Sequence, residues 1–144
     1  MISAESLSVA VFSLLSADPV LVSSGWRFQR GELLNSDPYV TPLLNVWGGH
    51  TNEKPYVIGG PTPWRGEVEV LVYAQVFDGS CGSALMTKLE QATDRIKTVI
   101  GSDWSLGGAA YGILSANKDL FDYQVKGSEA FLTSLITVRY DVGG

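Results

Sequence analysis

The segment from Arg65 to Phe77 alternates apolar and polar residues, which predicts one long β-strand. One face of this strand is small and mostly β-branched, and it consists of Val68, Val70, Val72, Ala74 and Val76. The opposite face is mixed, with Glu67, Glu69, Leu71, Tyr73, Gln75 and Phe77. Because a uniform β-branched face packs well beneath a helix, we expect the valine face to lie in the core.

Two segments have the periodicity of amphipathic helices. The first runs from Ala4 to Ser16, with Ser3 as its N-cap and Asp18-Pro19 closing it. Its main stripe is Ala4, Leu7, Val11, Leu14 and Leu15, while Val9 and Phe12 lie off that stripe. The second runs from Ser83 to Ile100, with Gly101 as its stop. Its stripe is Leu85, Leu89, Ala92, Ile96 and Val99.

Shorter strand patterns flank these elements. Two of them, Trp26 to Gln29 and Pro42 to Trp47, precede the long strand, and we expect Gly48-Gly49 to end the second. A closing strand is predicted from Phe131 to Val142, after a hairpin turn at Lys126-Gly127-Ser128. The pieces before that turn, Ala109 to Ser115 and Phe121 to Val125, read as separated near Asn117-Lys118-Asp119.

This order of elements predicts an α+β fold, in which a mostly antiparallel sheet is flanked by two helices. A long loop, Gly48 to Pro63, would lie between central strands. At 144 residues the chain is expected to form a single domain, residues 1–144.

The predicted long loop is punctuated by glycine and proline and contains Tyr56, Val57 and Ile58, which suits a contact arm better than a passive linker. The candidate interface residues are His50, Tyr56, Val57 and Ile58 within the loop, and Trp47 and Trp64, which bracket it. A helix that is apolar on more than one side is expected to pack on more than one side. Val9 and Phe12 of the first helix are therefore further interface candidates.

Only 17% of the residues are charged, against about 25% in ordinary soluble domains. So few charges leave apolar surface that we expect partner subunits to cover, although a low-charge monomer is the alternative. The net charge of −5, with no clustered basic residues, argues against binding to nucleic-acid phosphates. The single cysteine, Cys81, fits a reducing compartment, and no apolar run is long enough to span a membrane.

The candidate chemistry is sparse, so we expect no enzyme, no cofactor and no metal site. The turn Ser80-Cys81 follows a strand and precedes a helix, where a nucleophile could be exposed, but its spacing is not that of a nucleophile elbow. His50 is the one histidine and cannot build a metal site alone. Glu67 and Glu69 share a strand face, where a solvated edge is the simpler interpretation than a catalytic pair. A small hydrolytic or ligand-binding domain that uses the Ser80-Cys81 turn remains an alternative.

The succession of elements resembles the tail terminator, or tail completion, proteins of long-tailed bacteriophages. The matching stretches are Ser3–Ser16, Pro42–Trp47 with the loop to Pro63, Arg65–Ile100, and the hairpin that ends at Tyr140-Asp141-Val142. The resemblance implies a structural virion protein of the neck, without catalytic residues. It would form a homo-oligomeric ring, usually a hexamer, that caps the tail tube and ends tail polymerisation.

The same resemblance implies three kinds of partner: further copies of the chain, the tail tube protein, and a head-side connector or stopper protein. DNA would pass through the channel of the ring without specific binding, as an acidic chain allows. The protein would be assembled in the host cytoplasm and would reside in the virion, with no membrane partner. Another head–tail connector component, such as a stopper or a minor tail protein, is the alternative function.

Overall fold

Five strands form one sheet in the computed structural model, which describes residues 3–31, 42–55, 64–78, 84–126 and 129–143. Three helices accompany the sheet in these residues. In chain order the elements are α1 Ala4–Ser16, α2 Pro19–Ser23, β1 Arg27–Arg30, β2 Leu43–Pro55, β3 Trp64–Asp78, α3 Ala84–Ser102, β4 Gly112–Lys126 and β5 Glu129–Gly143.

The strand order across the sheet is β1-β2-β3-β5-β4. β1 runs parallel to β2, and each of the other neighbouring pairs is antiparallel. The predicted α+β fold with a mostly antiparallel sheet is therefore confirmed. β3 lies at the centre, and β1 and β4 form the two edges.

Helices α1 and α3 pack on one face of the sheet, and the sequence patterns identify that interface correctly. The valine face of β3, from Val68 to Val76, is at most 1% exposed and lies in one hydrophobic cluster with both helices. The apolar face of β5 completes this cluster with Leu132, Ile136, Val138, Tyr140 and Val142. In the same way, the predicted stripe of α3 is buried. α1 covers the β1–β2–β3 half of the sheet, and α3 covers the β3–β5–β4 half.

Helix α1 has the predicted bounds, and the predicted cap is present. The Ser3 hydroxyl accepts a hydrogen bond from the Ser6 amide at 3.1 Å. Asp18-Pro19 closes α1, but it also begins α2, which the sequence analysis did not predict. Asp18 is the N-cap of α2 and Pro19 occupies its first turn, a pairing typical of helix starts. The signal was in the sequence, but a helix of five residues is too short to show periodicity.

The prediction that Gly48-Gly49 ends a strand was wrong, and of the loop predicted to Pro63, residues 56–63 lie outside the described residues. β2 continues to Pro55 and pairs with β3 up to Trp64, with an irregular register between Gly48 and Thr51. A Cβ atom on Gly48 would lie 3.0 Å from the backbone carbonyl carbon and oxygen of Ala4. The absence of a side chain at Gly48 therefore lets the first turn of α1 pack closely on β2, and the strand continues past this glycine.

Two further boundaries differ from the sequence pattern. β4 is continuous through Asn117, Lys118 and Asp119, where an interruption was predicted, because an edge strand tolerates polar side chains on its solvated side. Helix α3 passes Gly101 and ends at Ser102, one residue beyond the predicted stop. Lys126 pairs with Glu129, so the predicted hairpin turn lies between them, although residues 127–128 are outside the described part of the chain.

Candidate assembly surfaces

The predicted interface residues lie on two different layers of the molecule. Val9 is 42% exposed on the outer side of α1, whereas Phe12 of the same helix packs against the core. Trp47 is half-buried and lies on the sheet face opposite the helices, because it pairs with Leu71 on the mixed face of β3. Its ring meets that of Tyr73 edge-on, with the centroids 6.4 Å apart. The sheet thus separates Trp47 from Val9 and Phe12.

The remaining candidates belong to the hairpin between β2 and β3. His50 lies in β2, and Trp64 begins β3, where it pairs with Pro55. Tyr56, Val57 and Ile58 lie outside the described residues. The contact role predicted for these residues stays a prediction.

This hairpin extends past the rest of the sheet at one end of the strands. β3 pairs with β5 as far as Gly66 and Gly143. The next pairs, Lys54 with Arg65 and Pro55 with Trp64, join β2 to β3 alone. We name residues 54–65 the β2–β3 arm. The arm emerges from two paired strands, so its stem has a fixed direction relative to the sheet.

The sheet face opposite the helices carries an acidic pair on the central strand. Glu67 and Glu69 flank Arg139 of β5, whose Nε atom is 3.4 Å from Glu69 Oε1 and whose Nη2 atom is 3.9 Å from Glu67 Oε2. The carboxylates are therefore at the centre of the sheet and not at the solvated edge that was predicted. An arginine between two carboxylates partly neutralises their charge, and at these distances and this exposure the pairs contribute little to stability.

A second feature lies at the junction of α2 and α3. The Asp18 carboxylate, 5% exposed, accepts hydrogen bonds from Arg95 Nε at 2.9 Å and from the Leu21 amide at 3.1 Å. The hydrogen bonds from Arg95 hold the pKa of Asp18 below the ordinary value for aspartate, and the Leu21 amide acts in the same direction. This ion pair ties α2 to the middle of α3.

Beside that ion pair lies an open groove of about 690 Å³. Its lining residues are Val20, Leu21, Ser24, Trp26, Thr87, Lys88, Gln91, Ala92 and Arg95. We name this feature the α2–α3 groove. Val20, on its α2 side, is 45% exposed, so part of its apolar wall faces solvent.

Replacing Asp18 by alanine is expected to lower the free energy of unfolding by about 1–2 kcal/mol, since an N-cap is lost. Asp18→Asn keeps an N-cap oxygen but not the charge. It should therefore lower the free energy of unfolding by less than Asp18→Ala, and the loss measures the contribution of the ion pair with Arg95. The folded-state pKa lies below the unfolded one, so the stabilisation is complete above about pH 4 and is lost as the pH falls through the folded-state pKa. Urea unfolding between pH 2 and pH 7 measures how the free energy of unfolding depends on pH. Equal pH dependence in the wild type and Asp18→Asn would contradict it.

The connection from α3 to β4 exposes large apolar side chains. Trp104 is 55% exposed, Tyr111 is 71% exposed, and Leu114, where β4 has an irregular register, is 51% exposed. The Ala110 amide donates to the Ser105 carbonyl at 2.9 Å, which closes the turn and places Trp104 and Tyr111 on its two flanks. We name these three side chains the aromatic knob. The knob was not predicted from the sequence, where Ala109 to Ser115 was interpreted only as a piece of a strand.

The described residues contain no group of three or more histidine, cysteine, aspartate or glutamate side chains that could hold a metal ion. The Ser80-Cys81 turn lies outside those residues. Tyr140 is fully buried, and burial, reinforced by the charge of Asp103, raises the pKa of its phenol. It is therefore protonated at neutral pH and is no candidate base. Of the helices described, none has the length and apolar character needed to cross a membrane.

These features define a two-layer α+β protein whose distinctive surfaces are an arm, a groove and a knob. No family model matches the chain, and no curated protein matches it. Among solved structures it is similar to a chain in the virion of a native gene transfer agent (GTA) particle, with a TM-score of 0.55. The alignment covers 96% of this chain and 95% of that chain at 18% sequence identity. At this identity, the similarity shows that the two chains share a fold.

Proposed function

We propose that this protein is a structural virion protein that forms a ring on the end of a tail tube. The ring ends tail polymerisation and joins the tail to the head-side connector. The observation that carries the proposal is the shared fold with a chain of a gene transfer agent virion, because it extends over nearly the whole of both chains. That shared fold supports a virion component, and the tail-terminator role rests in addition on the order of elements in the sequence.

The surfaces of the chain support assembly better than turnover. Exposed tryptophan, tyrosine and leucine side chains beside a low charge content are typical of surfaces that partner subunits cover. The paired stem of the β2–β3 arm extends past β5, which suits a contact with a neighbouring copy or the tube. The net charge of −5 suits a channel through which DNA passes without being held.

Electron microscopy of the purified protein, alone and mixed with tail tubes of the same virion, tests this function. We expect annular particles in the first sample and capped tube ends in the second. Tubes polymerising in the presence of the protein should also stop growing. Growth at an unchanged rate, with bare tube ends, would contradict the proposal.

Omission of the protein from the assembling virion separates the terminator from another connector component. Loss of a terminator should give tubes of uncontrolled length, because nothing halts the addition of tube subunits. Loss of a stopper should instead give tails of normal length that fail to join heads. Tails of normal length that fail to join heads would replace the terminator role by that of a stopper in the neck.

A further inference from the structure

We propose that the aromatic knob of one copy inserts into the α2–α3 groove of a second copy, and that this head-to-tail contact builds the ring. The inference rests on the proposed function, since it names the surfaces that hold the ring together. The occupant of the groove is thus another molecule of this chain. Neither surface was among the interface residues that the sequence pattern indicated.

The knob has the character of an interface anchor. Tryptophan and tyrosine are enriched at the centres of interfaces, where each can bury roughly 150–250 Å². Here both are more than half exposed, on the two flanks of a turn that backbone hydrogen bonds close. Closure fixes the turn before any contact forms, so little conformational freedom remains to be lost on binding.

The groove offers a matching receptor. Its floor and walls include the apolar residues Leu21, Trp26 and Ala92, which are nearly buried, and the exposed Val20. A volume of about 690 Å³ lies within the range of about 300–1,000 Å³ that accommodates small ligands, and it leaves room for aromatic rings. The Asp18–Arg95 ion pair holds α2 against α3 at this place, so the receptor is formed without a partner.

A copy does not fill its own groove, because the knob lies beyond the C-terminal end of α3 and the groove lies beside the earlier turns of that helix. The groove is lined by residues from Thr87 to Arg95, in the first two-thirds of the helix, whereas Trp104 follows its last residue. Helix α3 ends at Ser102, and at about 1.5 Å per residue Lys88 lies roughly 21 Å and Arg95 roughly 10 Å from that end along the axis, with Trp104 beyond it. The knob and the groove must therefore come from different copies.

The charges of the two surfaces are complementary. Asp103 is the single charged residue from position 103 to position 114, so the turn that carries the knob is acidic, and the Asp103 carboxylate accepts a hydrogen bond from the Gly107 amide in that turn. The charged residues that line the groove are Lys88 and Arg95. Asp18 neutralises Arg95, which leaves Lys88 to make the groove basic. This complementarity favours knob against groove, and it disfavours knob against knob.

A contact between two different surfaces has a direct consequence for the assembly. Every copy carries one knob and one groove, so each added copy leaves a new groove and a new knob free at the ends. Such heterologous contacts produce a closed ring when the rotation between copies closes, and an open filament when it does not. They do not produce a two-fold dimer. The geometry thus agrees with the annular particle of the proposed function.

Two variants remove one partner each at exposed positions, where the fold is not affected. Trp104→Ser with Tyr111→Ser removes the knob, and Thr87→Trp with Lys88→Glu fills the groove and reverses its charge. Met86→Ser is the matched control, because Met86 is 39% exposed on the same helix but does not line the groove. Circular dichroism and thermal melting check that each variant is folded.

Light scattering coupled to size exclusion measures the result against the chain mass of 15.5 kDa. We expect rings from the wild type and from Met86→Ser, and monomers from each of the other two variants alone. An equal mixture of the knob and groove variants should give a species of twice 15.5 kDa and nothing larger. In that mixture one intact knob meets one intact groove, and no further contact can form.

Three outcomes would overturn the inference: a wild-type chain that stays monomeric at every concentration, a folded knob or groove variant that assembles like the wild type, or a mixture that restores rings. The failure of the proposed function is a different result. Rings that depend on knob and groove but leave tube ends bare would refute the tail role and keep the interface. Tube ends capped normally by either variant would refute the knob–groove interface and keep the tail role.

Discussion

Valine in place of Gly48 is expected to lower the free energy of unfolding by about 3 kcal/mol. The Cβ atom of any larger residue would lie 3.0 Å from the carbonyl carbon and oxygen of Ala4, and 3.1 Å from the amide nitrogen of Glu5. These are backbone atoms of the first turn of α1, so no side-chain rotation relieves the contact. The helix would have to move off the sheet and lose part of the packing of Leu7.

The matched control is Gly101→Ala. Gly101 lies in the last turn of α3, and a Cβ atom there has no atom within 4 Å of it. Because alanine is the better helix former by up to about 1 kcal/mol, this variant should be neutral or slightly more stable. Guanidinium unfolding of the wild type, Gly48→Val and Gly101→Ala compares their free energies of unfolding. A Gly48→Val protein as stable as Gly101→Ala would show that α1 does not rest on β2 at this point.

The regular elements could be predicted because their signal is local. α1 and the core face of β3 show a clear periodicity over a dozen residues, and burial follows that periodicity in the structure. Gly48-Gly49 could not be interpreted correctly in this way. A glycine pair has the same appearance whether it ends a strand or lets a distant helix approach, and only the contact with Ala4 distinguishes the two.

The candidate surfaces were harder to predict than the fold. Aromatic residues near proline and glycine indicated the hairpin between β2 and β3, but nothing local indicated that its stem is paired strand. Trp104 and Tyr111 had the same kind of signal, since both lie near the Gly107-Gly108 pair. Their importance depends on exposure, and exposure depends on packing by residues far away in the chain. The α2–α3 groove has no sequence signal, because it joins two segments about 70 residues apart.

Shortening the β2–β3 arm is expected to leave the fold intact and to abolish the capping of tail tubes. A deletion that began at Gly49 would cut into β2, so the structure points to a different design. Glu53 pairs with Gly66, and an Asn-Gly turn in place of residues 54–65 can join them. The core face of β3 begins at Val68, so the replacement leaves that face unchanged. The melting temperature should therefore remain close to that of the wild type.

Binding to the tube should fall by roughly 30-fold or more if the arm carries even one anchor residue worth about 2 kcal/mol. Sedimentation of the protein with tail tubes measures the affinity, and electron microscopy shows whether the tube ends are capped. The matched control replaces only Met86 by serine, since Met86 is exposed on α3 and belongs to neither the arm nor the α2–α3 groove. Ring formation by the shortened protein should persist, because the knob and the groove are both retained. A shortened protein that caps tubes as the wild type does would remove the arm from the tube contact and leave that role to another face of the ring.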